Sequence, residues 1–169
     1  MVRRVWLAGR RRSFARVAAV VVGAVLAGPV QALAGNDVPL RGSDAGTWGE
    51  GTHQCGGLYP VFVATEGRAS HLGRYEYSSR ECVNFGTSGY EGTFVITTAD
   101  GASMYGTYAG SFTVVDDTIH YEQENAVTGG GGRFAGATGG FHVSGLASLT
   151  DPSDTQVLEG SISSVGSTK

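Results

Sequence analysis

The sequence has little of what would mark a metal-bound, fibrous or membrane-spanning protein. It contains two cysteines and four prolines among 169 residues. Two cysteines without histidine at ligand spacing are too few for a zinc site, and the absence of a Gly-X-Y period excludes collagen. The apolar run Val17–Ala27 has eleven residues, whereas a membrane-spanning helix needs about twenty. The length suits one domain with one hydrophobic core.

Positive charge is scarce after residue 34. Six of the twelve basic residues lie ahead of residue 35, and all fifteen acidic residues lie after it. Residues 35–169 therefore carry six basic against fifteen acidic residues, a formal net charge of −9. Nucleic-acid binding needs a basic face, and an anionic membrane surface attracts basic segments. We therefore expect neither nucleic acid nor, after signal cleavage, a membrane as a partner; the oligomeric state is left open.

The first 34 residues have the pattern of a secretory signal peptide. An arginine-rich start is followed by the apolar run Val17–Ala27 and by Ala32-Leu33-Ala34, a small-x-small cleavage site. We expect cleavage of residues 1–34 and a secreted protein, periplasmic or extracellular; the alternative is an uncleaved membrane tether. The segment Arg11–Arg16 (RRSFAR) resembles a twin-arginine signal, and the general secretory and twin-arginine routes both stay open.

The predicted export bears on the state of the two cysteines. Cys55 and Cys82 are the only cysteines in the sequence. An oxidising compartment favours a disulfide bond between such a pair. The alternative is two independent thiols, and we expect the disulfide.

The mature sequence predicts an all-β fold. Twenty-five glycines follow residue 34, and short alternating runs recur between glycine or Asp-Gly turns. No window after residue 34 has helical periodicity, beyond a single turn near Gly131–Ala135. We interpret residues 35–57 as a flexible leader and residues 58–169 as one β-barrel domain. The predicted strands are Leu58–Ala64, His71–Ser79, Glu91–Thr98, Ser103–Val115, Thr118–Val127, Gly140–Ser148 and Thr155–Val165.

These seven strands, with one more before Leu58, predict a glycine-rich antiparallel closed barrel of about eight strands. Closure removes exposed strand edges; a β-sandwich is the alternative. Asp100-Gly101 and Asp116-Asp117 are typical of tight turns. Along Met104–Phe112, one strand face alternates large side chains with glycine, which favours a small, sharply bent barrel.

The most distinctive segment is Ala126–Gly136, with the sequence AVTGGGGRFAG. A glycine run permits a tight reversal with positive φ, after which Phe134 returns an apolar ring to the core. The segment resembles the A-[I/V]-T-G-G-x-G-x-F-x-G stretch of the allene oxide cyclase barrel. Dirigent proteins share its Gly-Gly-x-Gly-x-Phe part, and small exported bacterial proteins of unassigned role carry a segment like Gly132–Gly139.

This resemblance implies a closed barrel that holds a reactive apolar intermediate and steers how it closes or couples. It carries over no active-site residue, so no catalytic residue is predicted and the question of enzymatic activity stays open. Gly130-x-Gly132-x-x-Ala135 also fits the loosest dinucleotide fingerprint, but no helix or βαβ unit surrounds it. The histidines have no H-x-H or HExxH spacing, and no G-x-S-x-G elbow is present. We therefore predict no cofactor and no metal.

Candidate ligand-binding residues follow from the strand faces. Tyr75 and Tyr77 share one face of a predicted strand, and Arg74 and Glu76 share the other. Inward tyrosines would line an aromatic, mildly polar pocket for a small apolar or phenolic molecule. An inward Arg74–Glu76 ion pair would instead supply acid–base groups. The candidate ligand-binding residues are Tyr75, Tyr77, Tyr108, Tyr121, Gln123 and Asn125.

The alternative function is that of a non-catalytic envelope or extracellular protein. Its tyrosines would fill a solid core, each hydroxyl bonded locally, and its outer surface would meet a partner. A cavity above about 300 Å³ with convergent polar groups would favour ligand binding, whereas a solid interior would favour the structural role.

Overall fold

The computed structural model describes residues 37–163, which form a closed barrel of eight antiparallel strands. Each strand pairs with the next along the chain, and β8 pairs with β1 to close the barrel. A 3₁₀ turn, Gly132–Phe134, lies between β6 and β7, and within 37–163 no helix is long and apolar enough to cross a membrane. The strands are β1 (Asp37–Glu50), β2 (Tyr59–Ala69), β3 (Gly73–Asn84), β4 (Gly89–Thr98), β5 (Ser103–Val115), β6 (Thr118–Gly131), β7 (Gly139–Ser148) and β8 (Ser153–Ser163).

The predicted all-β class and eight-stranded closure are confirmed, but the interpretation of residues 35–57 as a flexible leader is wrong for most of its length. Asp37–Glu50 forms β1, which pairs with both β2 and β8. Its alternation is hard to recognise because Gly42, Asp44 and Gly46 occupy inward positions where a strand usually has apolar side chains. A Cβ at Gly46 would collide with the carbonyl oxygen of Ala64 on β2. The predicted signal peptide, residues 1–34, lies outside the described residues.

The predicted faces of β5 are confirmed. Met104 and Tyr108 are buried, while the alternate side chains such as Tyr105 and Thr107 are exposed. A Cβ at Gly106 would collide with the carbonyl oxygen of Ala126 on β6. Glycine therefore permits the close approach of β5 and β6 that a tightly curved barrel requires.

The barrel has one apolar end. The largest fully buried side chains lie toward the end of the barrel at which β1 starts and β8 ends. They pack into one cluster. We call this the closed end. Its main side chains are Leu40, Phe94, Ile96, Met104, Phe141, Val143, Leu158 and Ile162.

The glycine-rich segment that resembles the allene oxide cyclase stretch covers the closed end. Gly132 and Gly136 have φ angles of 62° and 76°, which glycine adopts without strain, and Phe134 is buried in the core. Arg133 Nε lies 3.0 Å from Asp100 Oδ2, and Arg133 Nη1 donates a hydrogen bond to the His71 carbonyl at 2.8 Å. The segment thus ties three connections together at this end.

The opposite end, which we call the open end, is held by the predicted disulfide. Cys55 in the β1–β2 connection is bonded to Cys82 on β3, with Cα atoms 5.4 Å apart. His53 Nε2, in the same connection, donates a hydrogen bond to the Glu81 carbonyl at 2.9 Å. Within 37–163, His53, Cys55 and Cys82 are the one group of three side chains close enough to share a metal ion, but the bonded sulfurs are not free thiolate ligands.

Removal of the disulfide should destabilise the barrel. Because the bond closes a loop with a sequence separation of 27 residues, the Cys55→Ala/Cys82→Ala variant should lose roughly 3.5 kcal/mol of unfolding free energy. Urea unfolding followed by Trp48 fluorescence measures this loss. Reduced wild-type protein is the control and should unfold at a similar urea concentration. An unchanged midpoint in the double variant would contradict the prediction.

Candidate functional site

A cavity of about 230 Å³ occupies the open end of the barrel. The interior is therefore not solid, but the cavity is smaller than the roughly 300 Å³ expected of a ligand-binding barrel. An engineered cavity of about 150 Å³ in another protein holds benzene, so this space admits one ring with a short substituent. The apolar rim comes from six different parts of the chain and consists of Trp48, Tyr59, Phe85, Phe112, Ile119 and Leu149.

Cross-strand pairs of tyrosine with glycine give the interior its shape. Tyr108 on β5 lies opposite Gly92 on β4, and Tyr121 on β6 lies opposite Gly145 on β7. A Cβ at Gly92 would lie 2.7 Å from the Tyr108 hydroxyl, and one at Gly145 would collide with the Tyr121 ring. The glycines therefore leave room for each ring to lie over the neighbouring strand and carry its hydroxyl toward an inward carboxyl group.

Two carboxyl groups line the cavity, each with a tyrosine as its hydrogen-bond donor. Tyr108 donates to Glu81 Oε2 at 2.8 Å, and Tyr121 donates to Asp154 Oδ1 at 2.8 Å. Asp154 is only 2% exposed. A third pair, Tyr75 with Asp44 at 2.7 Å, is also buried but does not line the cavity.

Burial makes both cavity carboxyl groups harder to ionise. Desolvation raises the pKa of Glu81 to about 7, an effect that the hydrogen bond from Tyr108 partly offsets and the charge of Asp154 reinforces. Desolvation likewise raises the pKa of Asp154 to about 6, against the hydrogen bond from Tyr121. The pKa values of Tyr108 and Tyr121 are raised by burial and by the neighbouring carboxylates, so both tyrosines remain protonated donors.

The other polar groups of the cavity are uncharged. Gln123 Nε2 donates to Asn125 Oδ1 at 3.1 Å, and its Oε1 accepts from the Tyr90 hydroxyl at 3.3 Å. Ser79 lines the cavity and is 5% exposed, and its buried Oγ has no hydrogen-bond partner. The Ser79 hydroxyl lies near enough to Tyr77 to favour its ionised form, yet outside hydrogen-bonding geometry. No lysine, arginine or histidine of the described chain lines this cavity.

The structure separates the predicted ligand-binding residues into two groups. Tyr77, Tyr121 and Gln123 line the cavity. The others are buried in the interior but do not line the cavity. Their polar atoms contact interior side chains: Tyr75 contacts Asp44, Tyr108 contacts Glu81, and Asn125 contacts Gln123.

Arg74 and Glu76 do not supply interior acid–base groups. Both side chains are exposed on the outer face of β3, because Tyr75 and Tyr77 occupy the inward positions of the same strand. The hypothesis of a buried Arg74–Glu76 pair is therefore wrong.

Sequence reasoning missed Glu81, Asp154 and Ser79. The predicted strand ended at Ser79, whereas β3 continues to Asn84 and points Glu81 inward. The last predicted strand began at Thr155, one residue after Asp154, which β8 places inward. Extending the period-two alternation past both predicted strand ends would have found the two acids.

The raised carboxyl pKa values predict that the barrel becomes more stable on mild acidification. Unfolded Glu and Asp have pKa values of about 4.3 and 3.9, so between these values and the raised ones the folded state binds more protons. Stability therefore falls as pH rises through about 5 to 8. Glu81→Gln should reduce this dependence, measured as the difference in melting temperature between about pH 5 and about pH 8.

The control must remove a second group whose contribution to stability also falls as pH rises. His142, on the outer face, contacts Glu122 and Glu124, and these contacts raise its pKa. Its contribution is also lost as pH rises. The comparison is therefore made in a His142→Gln background, with exposed Glu159→Gln on β8 as the matched carboxyl control. Equal pH dependence in Glu81→Gln and Glu159→Gln would contradict the assignment to Glu81.

In comparisons with known proteins, the chain matches no protein-family model, no curated protein and no solved structure. The resemblance to the allene oxide cyclase and dirigent barrels therefore stays a prediction carried by the Ala126–Gly136 segment. The chemistry of the open-end cavity has to be argued from its own side chains.

Proposed function

We propose that the mature, exported protein binds a small, largely apolar molecule in the cavity at the open end of its barrel. The observation that carries this proposal is a cavity with apolar walls and a few polar groups that converge inside it, the usual composition of ligand sites. Val61, Val63 and Val83 form part of the apolar wall. Ser79 also lines the cavity, and its buried hydroxyl makes no hydrogen bond.

The polar groups favour a ligand with one polar substituent. A buried hydroxyl without a partner costs free energy that a ligand hydrogen bond can recover. Ser79 can either donate or accept such a bond. A single ring with a short polar arm therefore suits both the volume of the cavity and its unpaired hydroxyl.

The alternative is a non-catalytic envelope or extracellular protein that meets a partner through its outer surface. That role has no need of an interior space, and natural cores are packed with few voids larger than a water molecule. The cavity of about 230 Å³ is smaller than the roughly 300 Å³ of a typical ligand pocket, but an unfilled space with converging polar groups fits the binding role better than a solidly packed core would.

Cyclase- or isomerase-like steering is a second candidate, favoured by Glu81. A carboxyl group with a pKa of about 7 in a cavity wall can accept or donate a proton near neutral pH. Tyr108, bonded to the same carboxyl at 2.8 Å, would stabilise its ionised form.

Exchange of solvent deuterium into a one-ring enolisable ketone, followed by NMR, tests this second candidate. Wild type should accelerate the exchange and Glu81→Gln should abolish the acceleration, because glutamine cannot accept the proton. Exposed Glu159→Gln should behave as wild type. Equal exchange with and without wild-type protein would count against catalysis while leaving the binding role intact.

Filling the cavity tests the binding role. Ala147 is buried on β7 and lines the cavity, so Ala147→Phe should occupy the space that a ligand ring needs. Benzyl alcohol should bind wild type at one site, and its affinity for Ala147→Phe should be at least roughly tenfold lower. Isothermal titration calorimetry measures both affinities.

The matched control is Ala64→Phe, which adds the same ring on the exposed face of β2. It should leave the affinity for benzyl alcohol unchanged. Equal affinities of wild type and Ala147→Phe would place the ligand elsewhere, and failure of wild type to bind any one-ring probe at millimolar concentration, whether neutral or charged, would refute the proposed function.

A further inference from the structure

We infer that the occupant of the open-end cavity is an organic cation, a protonated amine attached to an apolar body of about one ring. The inference rests on the proposed function, since it assigns the ligand class of the same cavity. Three independent features of the cavity support it: unneutralised carboxyl groups, aromatic walls and an unpaired hydroxyl.

The first feature is an electrostatic imbalance. Glu81 and Asp154 both line the cavity, and no basic side chain of the described chain lines it. Their hydrogen-bond donors are the neutral hydroxyls of Tyr108 and Tyr121, which orient the carboxylates but cannot neutralise them. Buried charges in proteins are ordinarily paired with an opposite charge. A ligand ammonium group would supply the positive charge that the protein omits.

The second feature is the aromatic wall. The faces of aromatic rings attract cations, and aromatic cages are a common means of binding organic ammonium groups. The rings of Phe85 and Phe112 meet edge to face at 6.1 Å, and those of Tyr90 and Tyr121 do so at 6.4 Å. Tyr59 packs against Phe85 at 5.7 Å. These rings line the same cavity as the two carboxyl groups, so an ammonium ion bound there would have aromatic and anionic neighbours together.

The third feature is independent of charge. Ser79 lines the cavity, and its buried Oγ, near the hydroxyls of Tyr77 and Tyr108, makes no hydrogen bond. A primary ammonium group has three N–H donors and no acceptor. Glu81, Asp154 and Ser79 present three acceptors to one cavity, which matches that donor set.

The surrounding charge favours the same class of ligand. Residues 35–169 carry six basic and fifteen acidic side chains, a net charge of −9. A field of this sign raises the local concentration of cations and repels anions. A neutral ligand would gain nothing from the field and less than a cation from the carboxylates.

Three benzyl probes of nearly equal size distinguish the ligand classes: benzylamine, benzyl alcohol and benzoate. Each is titrated calorimetrically into the mature, disulfide-bonded protein at about pH 8, where the carboxyl groups are ionised. Benzylamine should bind at least roughly tenfold more tightly than benzyl alcohol, because charge-assisted hydrogen bonds are stronger than neutral ones. Benzoate should bind most weakly.

Variants locate the charge that is recognised. Asp154→Asn and Glu81→Gln should each weaken benzylamine binding by roughly tenfold, and by clearly more than they weaken benzyl alcohol binding. Glu159→Gln removes an exposed carboxylate from the outer face of β8 and should leave both affinities unchanged.

A pH titration of the wild type keeps the test independent of whether the variants fold. Benzylamine affinity should fall between about pH 8 and about pH 5 as Glu81 and Asp154 take up protons, and benzyl alcohol affinity should not. The tyrosines around these acids stay protonated throughout this range, because their pKa values are raised. The titratable groups that act on the two acids or contact them, besides each other, are Asp44, Tyr77, Tyr90, Tyr108 and Tyr121.

The outcomes separate this inference from the proposed function. If benzylamine binds no more tightly than benzyl alcohol, the ligand is neutral: the cation inference fails and the binding role stands. If benzylamine affinity does not change with pH, the carboxylates do not recognise it and the inference also fails. If none of the three probes binds, both the inference and the proposed function are overturned.

Discussion

The pairing of β1 with β8 runs from Asp37 opposite Ser163 to Thr47 opposite Ser153, and the remainder of the molecule depends on it. An open sheet of these strands would leave two edges unpaired and one face in water. Closure turns that face into an interior, so that Asp154 and Glu81, on separate strands, line one cavity. The energetic cost of burying such groups arises only because the barrel closes.

The two ends of the barrel interior differ: the closed end is mainly apolar packing, and the open end contains the candidate binding cavity. Apolar side chains dominate the closed end, where Phe134 and the glycine-rich segment cover the core. Polar groups and the cavity lie toward the open end, which the Cys55–Cys82 disulfide reinforces. Concentrating the apolar packing at one end lets the other keep carboxyl groups and unfilled volume that a uniformly packed core would exclude.

Much of the fold follows from local patterns in the sequence. The alternation in Ser103–Val115 gives that strand its bounds and its inward face, since successive side chains of a strand point to opposite sides. β1 escaped the same reasoning, because Gly42, Asp44 and Gly46 interrupt its apolar alternation at three successive inward positions. Its pairing is fixed instead by backbone hydrogen bonds to two strands, one of them more than a hundred residues away along the chain.

The sequence by itself determined that the chain forms β-strands, that its two cysteines can pair, and which residues of several strands share a face. Only the tertiary structure decided which inward residues meet. Alternation specifies a face but not a height along the barrel axis or a neighbour across the interior. Those depend on the register of all eight strands at once. For this reason Tyr77, Tyr121 and Gln123 line the cavity while Tyr75, Tyr108 and Asn125 support its surroundings.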